Sequence, residues 1–243
     1  MRIHALLSWY DESAMWLSAA ITSLLPHVDH IVAVDGAYLL YPDGQPQSRV
    51  DQAHAIVETC HAAGVGLTLH RPQIKWVGNE VEKRNRLFAL AELDAQPDDW
   101  YWVIDADELV ANAPHDLRAL LEQSEHDVAK VMLWERSDQY RDAESLAYLQ
   151  ETALPSDFHC PLRMLFRAIP GLRCDLAHYR YRTPDGRYLW NYPTEPMEDA
   201  LDLLDLVRVE HRRFFRPKQR KIDARTYYMR RDDAMIEQKK LPA

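Results

Sequence analysis

An acidic group follows directly on an apolar segment near the middle of the chain. Residues 100–104, Trp-Tyr-Trp-Val-Ile, run into Asp105, Asp107 and Glu108, with one alanine between the two aspartates. Carboxylate oxygens at this spacing suit Mg²⁺ or Mn²⁺ that is shared with the phosphates of a ligand. A bare Asp-x-Asp triplet is more often a solvated turn in which an aspartate caps the next segment. Its position at the carboxyl end of a buried-looking strand reverses that preference and favours a metal site.

Two further aspartates lie close to the ends of strand-like segments. Asp11 follows the first apolar segment of the chain, and Asp35 ends the second, directly before a glycine. Asp-Gly is also an ordinary turn dipeptide, so Asp35 alone does not indicate a binding site. The indication of a site comes from Asp11, Asp35 and Asp105 together, which we expect at the same rim, the carboxyl edge of the predicted sheet. Trp9 and Tyr10 stand beside them and are able to stack on a nucleobase, although aromatic residues at strand ends more often pack against the protein.

Two groups of basic residues are candidates for binding an anion. Lys83, Arg84 and Arg86 stand near the start of a predicted helix, where backbone donors and the helix dipole favour negative charge. A solvated helix surface explains them equally well. The second group surrounds His211 and consists of Arg212, Arg213, Arg216 and Lys218. Nearby positive charge disfavours protonation of an imidazole, which keeps His211 available to a metal.

The charge of the chain is unevenly distributed. The 243 residues carry a net charge of −9, which argues against a surface that binds nucleic acid or anionic lipid as a whole. Residues 208–231 nevertheless hold ten basic and two acidic residues, a local charge of +8, so the remainder carries −17. No apolar run approaches the roughly 18 residues that span a bilayer, and no signal peptide is recognisable, so we expect a cytoplasmic protein. Three cysteines without metal-finger spacing predict reduced thiols.

The first half of the chain alternates strands and helices. Strands are predicted at 3–8, 28–34, 66–70 and 100–104, and helices at about 13–25, 48–64 and 79–94. Ser48 with Asp51, and Asn79 with Glu82, are expected to cap the second and third helices. Successive units of about thirty residues predict a right-handed parallel α/β sheet, and such sheets bind ligands at the carboxyl ends of their strands.

The second half of the chain does not continue the regular alternation of strands and helices. Its expected elements are strands at 127–134 and 162–167, a helix at 137–154, a hairpin within 173–186 and a helix from 216 onward. No flexible linker separates the two halves. We therefore expect the second half to extend a mixed sheet rather than to form an independent domain.

Four motifs of the first half resemble the nucleotide-binding half of a family-two glycosyltransferase of GT-A fold. They are SWYDE at 8–12, IVAVDG at 31–36, EKRNRLFALAE at 82–92 and WVIDADE at 102–108. The resemblance implies an α/β fold with a mixed central sheet and helices on both faces. It also implies a single catalytic domain over 1–215, with a nucleotide-binding half (1–110) and an acceptor half (111–215), and a basic helical extension (216–243) packed on that domain.

The resemblance also implies a donor and a metal. The donor would be a nucleotide-diphosphate sugar, with UDP or GDP as the nucleotide, and the cofactor Mn²⁺ or Mg²⁺. Tyr10 and Asp11 would lie at the nucleobase and ribose, and Asp35 would hydrogen-bond the base. Arg84 would neighbour the nucleotide or its diphosphate. Asp105 would contact the ribose or the metal.

The remaining site residues of the resemblance concern the metal and the diphosphate. Asp107 would ligate the metal. Residues 210–228 resemble the C-terminal region that supplies a metal-binding histidine and phosphate-binding cations in this family. His211 is therefore preferred to His178 as the second ligand. Arg212 and Arg216, with Arg213, would neutralise the diphosphate.

The catalytic base and the acceptor stay open. Tyr179 stands where the family has a glutamate. Four acids of the acceptor half are candidates for the base, with Asp157 preferred: Glu135, Asp138, Asp157 and Glu195. Trp134, Tyr188, Trp190 and Tyr192 are candidates for walls that stack on a sugar. A lipid-linked sugar, a glycan, a protein side chain, a small metabolite and a modified nucleobase all remain as acceptors, and the oligomeric state is undetermined.

Three other functions compete with glycosyl transfer. A sugar-nucleotide pyrophosphorylase needs a glycine-rich loop near the N-terminus, and SWYDES contains no glycine. A nucleic-acid enzyme would show a large electropositive surface, whereas the chain outside residues 208–231 carries −17. An inactive module that binds a nucleotide or a glycan is disfavoured by the retention of both aspartates and a candidate histidine.

Overall fold

A mixed α/β architecture organises the chain in a computed structural model that describes residues 1–135, 158–175, 180–191, 199–212 and 218–240. The elements of the first half are β1 (Ile3–Ser8), α1 (Ala14–Leu24), β2 (His30–Val34), α2 (Val50–Ala63), β3 (Gly66–His70), α3 (Asn79–Ala91) and β4 (Trp100–Asp105). This succession agrees with the strand-helix units that the sequence predicts, and the bounds of β1 and β3 are those predicted.

The second half contributes mainly strands. Its described elements are β5 (Glu108–Asn112), α4 (Leu117–Glu122), β6 (Val128–Glu135), β7 (Phe158–Arg167), β8 (Arg173–Cys174), β9 (Arg180–Arg182), β10 (Tyr188–Asn191), β11 (Leu201–Asp202), β12 (Arg208–His211) and α5 (Lys218–Lys240). The predicted helix at 137–154 lies outside the described residues. Helix α5 is described from Lys218, two residues after the predicted start. Within the described ranges, no helix combines the length and the apolarity needed to cross a bilayer.

One nine-stranded sheet joins both halves of the chain. Its strand order is β3-β2-β1-β4-β7-β6-β12-β5, and β11 pairs with β6 beside this path. The strands β1 to β4 are mutually parallel, whereas β7 pairs antiparallel with both β4 and β6, so the sheet is mixed as predicted. A separate three-stranded sheet, β10-β9-β8, contains the predicted hairpin. The division into a domain at 1–215 and an extension at 216–243 stays a prediction.

Alternation along β4 explains why helices cover both faces of the sheet. Trp100 and Trp102 are fully buried in the cluster that contains residues of α1 and α2, while Tyr101 and Val103 belong to the opposite cluster with Leu87 and other residues of α3. Side chains of a strand point alternately to its two faces. Because both faces of β4 carry large apolar side chains, each face needs a helical layer, and the sheet cannot be half-exposed.

Local polar contacts at the helix starts differ in part from the expected caps. The Ser13 hydroxyl accepts a hydrogen bond from the Trp16 amide at 3.1 Å and caps α1. The capping box predicted for Ser48 is wrong, because that hydroxyl donates to Asp35 at 2.5 Å instead and α2 begins at Val50 without a side-chain cap. The left-handed Gly64 that ends α2 agrees with the predicted helix end.

The turn after β2 requires a glycine. Gly36 has φ +110°, and a Cβ atom there would lie 2.6 Å from the Pro46 carbonyl oxygen and 2.7 Å from Pro72 Cγ. We predict that Gly36→Ala lowers the free energy of unfolding by about 3 kcal/mol, because strain and overlap add. Gly64→Ala is the control, since its Cβ would meet no described atom within 4 Å, and it should cost about 1 kcal/mol. Urea unfolding measures both, and equal losses would contradict the prediction.

Candidate functional site

The candidate site begins where β4 ends. In the parallel register, Ser8 of β1 pairs with both Val34 of β2 and Asp105 of β4, so three strands end at the same level. The Asp105 carboxylate is about one-third exposed, and Arg84 Nη2 donates to its two oxygens at 2.9 and 2.8 Å. Burial disfavours a charged Arg84, but the Asp105 carboxylate and other neighbouring groups together raise the pKa of the guanidinium above its ordinary value. The two residues form an ion pair at the carboxyl edge of the sheet.

Asp107 and His211 meet although 104 residues separate them. Strand β12 pairs antiparallel with β5 and sets His211 opposite Glu108. The Arg212 amide also donates to the Asp107 carbonyl at 2.8 Å. As a result, His211 Nε2 lies 3.1 Å from Asp107 Oδ2. The structure thus brings together the two residues that the sequence nominates as metal ligands.

The chemistry of this pair fits a divalent metal that a ligand helps to coordinate. No group of three or more His, Cys, Asp or Glu side chains able to hold a metal occurs within the described ranges. An imidazole nitrogen beside a carboxylate oxygen suits Mn²⁺, whereas Mg²⁺ prefers oxygen alone. Two protein ligands leave most coordination positions to phosphate oxygens and water. The pair therefore offers one nitrogen and one carboxylate group to a divalent metal.

Glu108 completes the acidic turn, and the sequence predicts no separate role for it. It is buried, and its Oε2 accepts a hydrogen bond from the Asp105 amide at 2.7 Å. Burial and the neighbouring Asp105 carboxylate raise the pKa of Glu108 to about 8. Its environment thus favours the protonated form more than the environment of an exposed glutamate does.

Lys83 fastens the ends of β1 and β2 to α3. It is 1% exposed, and its Nζ donates to the carbonyl oxygens of Trp9 at 2.6 Å and Gly36 at 2.9 Å. Neither a solvated role nor a phosphate-binding role fits this position, whereas Arg86 on the same helix is exposed. Burial lowers the pKa of Lys83 to about 7, against the opposing effect of Asp35 and other carboxylates. A lysine among other basic residues of a helical segment gives no sequence signal for such a contact.

Asp35 lies on the expected rim, but inside the protein. Its carboxylate is fully buried and accepts hydrogen bonds from the Gly36 amide, the Ser48 amide and hydroxyl, and Arg71 Nε at 2.5 to 3.1 Å. These bonds fold the loop between β2 and α2. The Asp11 side chain, by contrast, is exposed at the same rim. Contact of Asp35 with a nucleobase stays a prediction.

Tyr10 stands at the end of β1 in an aromatic corner. It is partly exposed, its hydroxyl accepts a hydrogen bond from the Gln45 amide at 2.8 Å, and its ring meets Tyr41 edge-on with centroids 5.3 Å apart. Helix α5 reaches this corner through Arg220, whose guanidinium lies over the Tyr10 ring. Of the two aromatic residues that are candidates for base stacking, Tyr10 lies at the carboxyl edge of the sheet in contact with the C-terminal helix, whereas Trp9 is buried.

Several other nominated residues are differently placed. Arg212 is fully buried and pairs with the buried Glu210 at 3.0 Å, so its proposed role toward a diphosphate stays a prediction. Trp190 is buried against Tyr181, and Trp134 lies beneath the Arg208 guanidinium. The nominated residues that fall outside the described side chains are Glu135, Asp138, Asp157, His178, Tyr179, Tyr192, Glu195, Arg213, Arg216 and Lys218.

Comparison with known proteins gives distant structural likenesses, two of which are described below. No protein-family model matches the chain, and no curated protein matches it. The chain is similar to a mannose-6-phosphate isomerase from Helicobacter pylori, with 10% identity, a TM-score of 0.35, and coverage of 56% of this chain and 51% of that one. It is also similar to a Bacillus anthracis protein named as a glucose-1-phosphate thymidylyltransferase, in complex with a sucrose, with 12% identity, a TM-score of 0.35, and coverage of 57% of both chains. The chain thus matches little more than half the length of each, and likeness at this level does not extend either activity to it.

The buried Lys83 predicts a pH-dependent stability. Between pH 7 and 10.5 the unfolded chain keeps this proton while the folded protein releases it, so the contribution of Lys83 to stability rises with pH. The difference in free energy of unfolding between wild type and Lys83→Met should therefore increase from pH 7 upward, by at most roughly 1.4 kcal/mol per pH unit. Urea unfolding at several pH values measures it. The partly exposed Lys75, changed to Met, is the control, and a flat difference for Lys83 would contradict the prediction.

Proposed function

We propose that this chain is a metal-dependent glycosyltransferase of GT-A fold that uses a UDP- or GDP-sugar as donor. The main support is the pair formed by Asp107 and His211, 3.1 Å apart at the carboxyl edge of the sheet. A carboxylate and an imidazole at the position of an Asp-x-Asp motif are suited to a metal bridging a diphosphate. The proposal includes the predicted catalytic domain at 1–215 and the extension at 216–243.

The strands β1, β2 and β4 end at the same level of the sheet. This arrangement supports a donor site that has a nucleoside end and a diphosphate end. Tyr10 and Asp11 follow β1 and would form the nucleoside end. Asp107 and His211 would form the diphosphate end. Asp105 is the last residue of β4, and we propose that its pairing with Arg84 holds the carboxylate where a ribose or a metal would meet it. Parallel α/β sheets bind ligands at this edge because their loops and helix starts converge there.

Stabilisation of the departing nucleoside diphosphate is the chemical task of such a site. A metal held by Asp107 and His211 would supply positive charge to the diphosphate oxygens. Arg212 and Arg216 are proposed to add to it. Arg212 would first have to leave Glu210, because the guanidinium is fully buried in that pair. Arg84 already donates hydrogen bonds to both carboxylate oxygens of Asp105. It is therefore more suited to orienting that carboxylate than to neutralising the departing diphosphate.

The acceptor half supplies the remaining chemistry in this proposal. An inverting enzyme needs a carboxylate that removes the proton from the acceptor on the face opposite the leaving group. Asp157 is proposed for that role. Glu108 is less suited to it, because it is buried and its Oε2 already accepts a hydrogen bond from the Asp105 amide. The class of acceptor stays open, and donor binding is therefore the property to test first.

Nucleotide binding with metal-ligand variants tests the proposal. We expect UDP or GDP, or one of their sugars, to bind in a manner that requires Mn²⁺. Asp107→Asn and His211→Ala should each weaken this binding by roughly tenfold or more, because each removes a ligand from the metal diphosphate. Asp98→Asn is the matched control, since Asp98 is exposed just before the amino end of β4. Calorimetry with and without Mn²⁺ measures the affinities, and turnover of a sugar-nucleotide panel extends the measurement.

Two results would contradict the proposal. One is a wild-type protein that binds no nucleoside diphosphate and no nucleotide sugar under any of these conditions. The other is full metal-dependent affinity and turnover in both Asp107→Asn and His211→Ala. A loss shared equally by Asp98→Asn would point to unfolding, which a thermal melt of each variant detects.

A further inference from the structure

Helix α5 packs on the loop that follows β1. Arg220 donates from Nη2 to the Tyr10 carbonyl oxygen at 2.6 Å and to Glu12 Oε1 at 3.4 Å, and from Nη1 to the Tyr41 hydroxyl. Its guanidinium also lies over two aromatic rings, 5.5 Å from the centroid of Tyr10 and 4.9 Å from that of Tyr41. One side chain of the C-terminal helix therefore contacts the backbone, a ring and a carboxylate within the three residues 10–12.

A second anchor lies two turns further along α5. Tyr227 is 2% exposed and stacks on Tyr38, with ring centroids 4.8 Å apart and an interplanar angle of 30°. Tyr38 in turn lies beneath Lys83, the residue that fastens the ends of β1 and β2. Buried aromatic contact of this kind holds a helix in one orientation. Arg220 is therefore presented to the β1 loop by a helix that is fixed independently of it.

The peptide bond between Tyr10 and Asp11 is held on both sides. Its carbonyl oxygen accepts the hydrogen bond from Arg220, and its amide donates to the Ser48 hydroxyl at 2.9 Å. Ser48 is itself bound to the buried Asp35. Asp11 has φ +48°, a left-handed conformation that costs a non-glycine residue free energy and persists only when its surroundings enforce it. Arg220 and Ser48 hold the two sides of the peptide bond that precedes it.

We infer that Arg220 is a positioning residue for the nucleoside end of the donor site, which makes α5 a part of that site. This inference rests on the proposed function. Arg220 acts through Tyr10 and Asp11, whose orientation it sets. The Asp107–His211 pair is built separately, by the pairing of β12 with β5. Loss of Arg220 should therefore weaken binding of the nucleoside part of a ligand and leave binding of the diphosphate part unchanged.

Two ligands that differ only in the nucleoside separate these effects. The probes are UDP (or GDP, whichever the wild type binds) and inorganic pyrophosphate, each with Mn²⁺. Arg220→Met should weaken nucleoside diphosphate binding by roughly tenfold, the size expected for the loss of charge-assisted hydrogen bonds, and change pyrophosphate binding by less than about twofold. Arg220→Lys should restore part of the affinity, because it keeps the charge. Arg225→Met, at an exposed arginine of the same helix, should behave as wild type.

Hydrogen exchange of the free protein tests, without any nucleotide, whether Arg220 braces the loop at residues 10–12. Arg220→Met should speed exchange in the segment 10–12 relative to Arg225→Met, and Arg220→Lys serves in its place if the methionine variant does not fold. Equal nucleotide affinities in Arg220→Met and Arg225→Met, a parallel loss of pyrophosphate binding, or unchanged exchange at 10–12 would each overturn the inference. A wild type that binds no nucleotide rejects the proposed function instead, and the exchange result then still decides whether Arg220 braces the loop.

Discussion

Parallel pairing of β1 with both β2 and β4 is the constraint on which the candidate site depends. Ser8 pairs with Val34 on one side and Asp105 on the other, so the chain leaves all three strands at the same height. Hydrogen bonding along a parallel ladder fixes this register, and a slip of one residue would turn every side chain to the other face. The acidic turn after β4 and the aromatic turn after β1 are neighbours for this reason alone.

Buried charges then fix the loops that leave those strands. A charged group taken out of water is costly unless hydrogen bonds or an opposite charge replace the lost hydration. Asp35 meets this requirement through Ser48 and Arg71, and Lys83 through two backbone carbonyls. Each such group ties together segments that are far apart in sequence. The same contacts that satisfy the charges therefore give the loops at the rim a defined shape.

Hydrophobic periodicity made the first half of the fold predictable. Residues 3–8 and 100–104 are short, mainly apolar runs, residues 66–70 alternate apolar and other residues, and each segment is a strand in the structure. Strand β12 was not predicted, because Arg208 and Glu210 give a four-residue segment two charges and no apolar run. Its place between β6 and β5 depends on pairing with strands about eighty to one hundred residues away, and such pairing leaves no local pattern in the sequence.

The sequence by itself determined the succession of the first four strands along the chain and the acidic residues at the end of β4. Both follow from the local pattern of apolar residues and from residue type. The tertiary structure alone decided the partners of the polar side chains. It placed His211 beside Asp107 and buried Arg212 against Glu210. It also directed the Ser48 hydroxyl to the Asp35 carboxylate, so that Ser48 does not cap a helix. The physical reason is that a side chain binds whichever group the packed strands and helices place within about 3 Å of it, and packing depends on contacts distant in sequence.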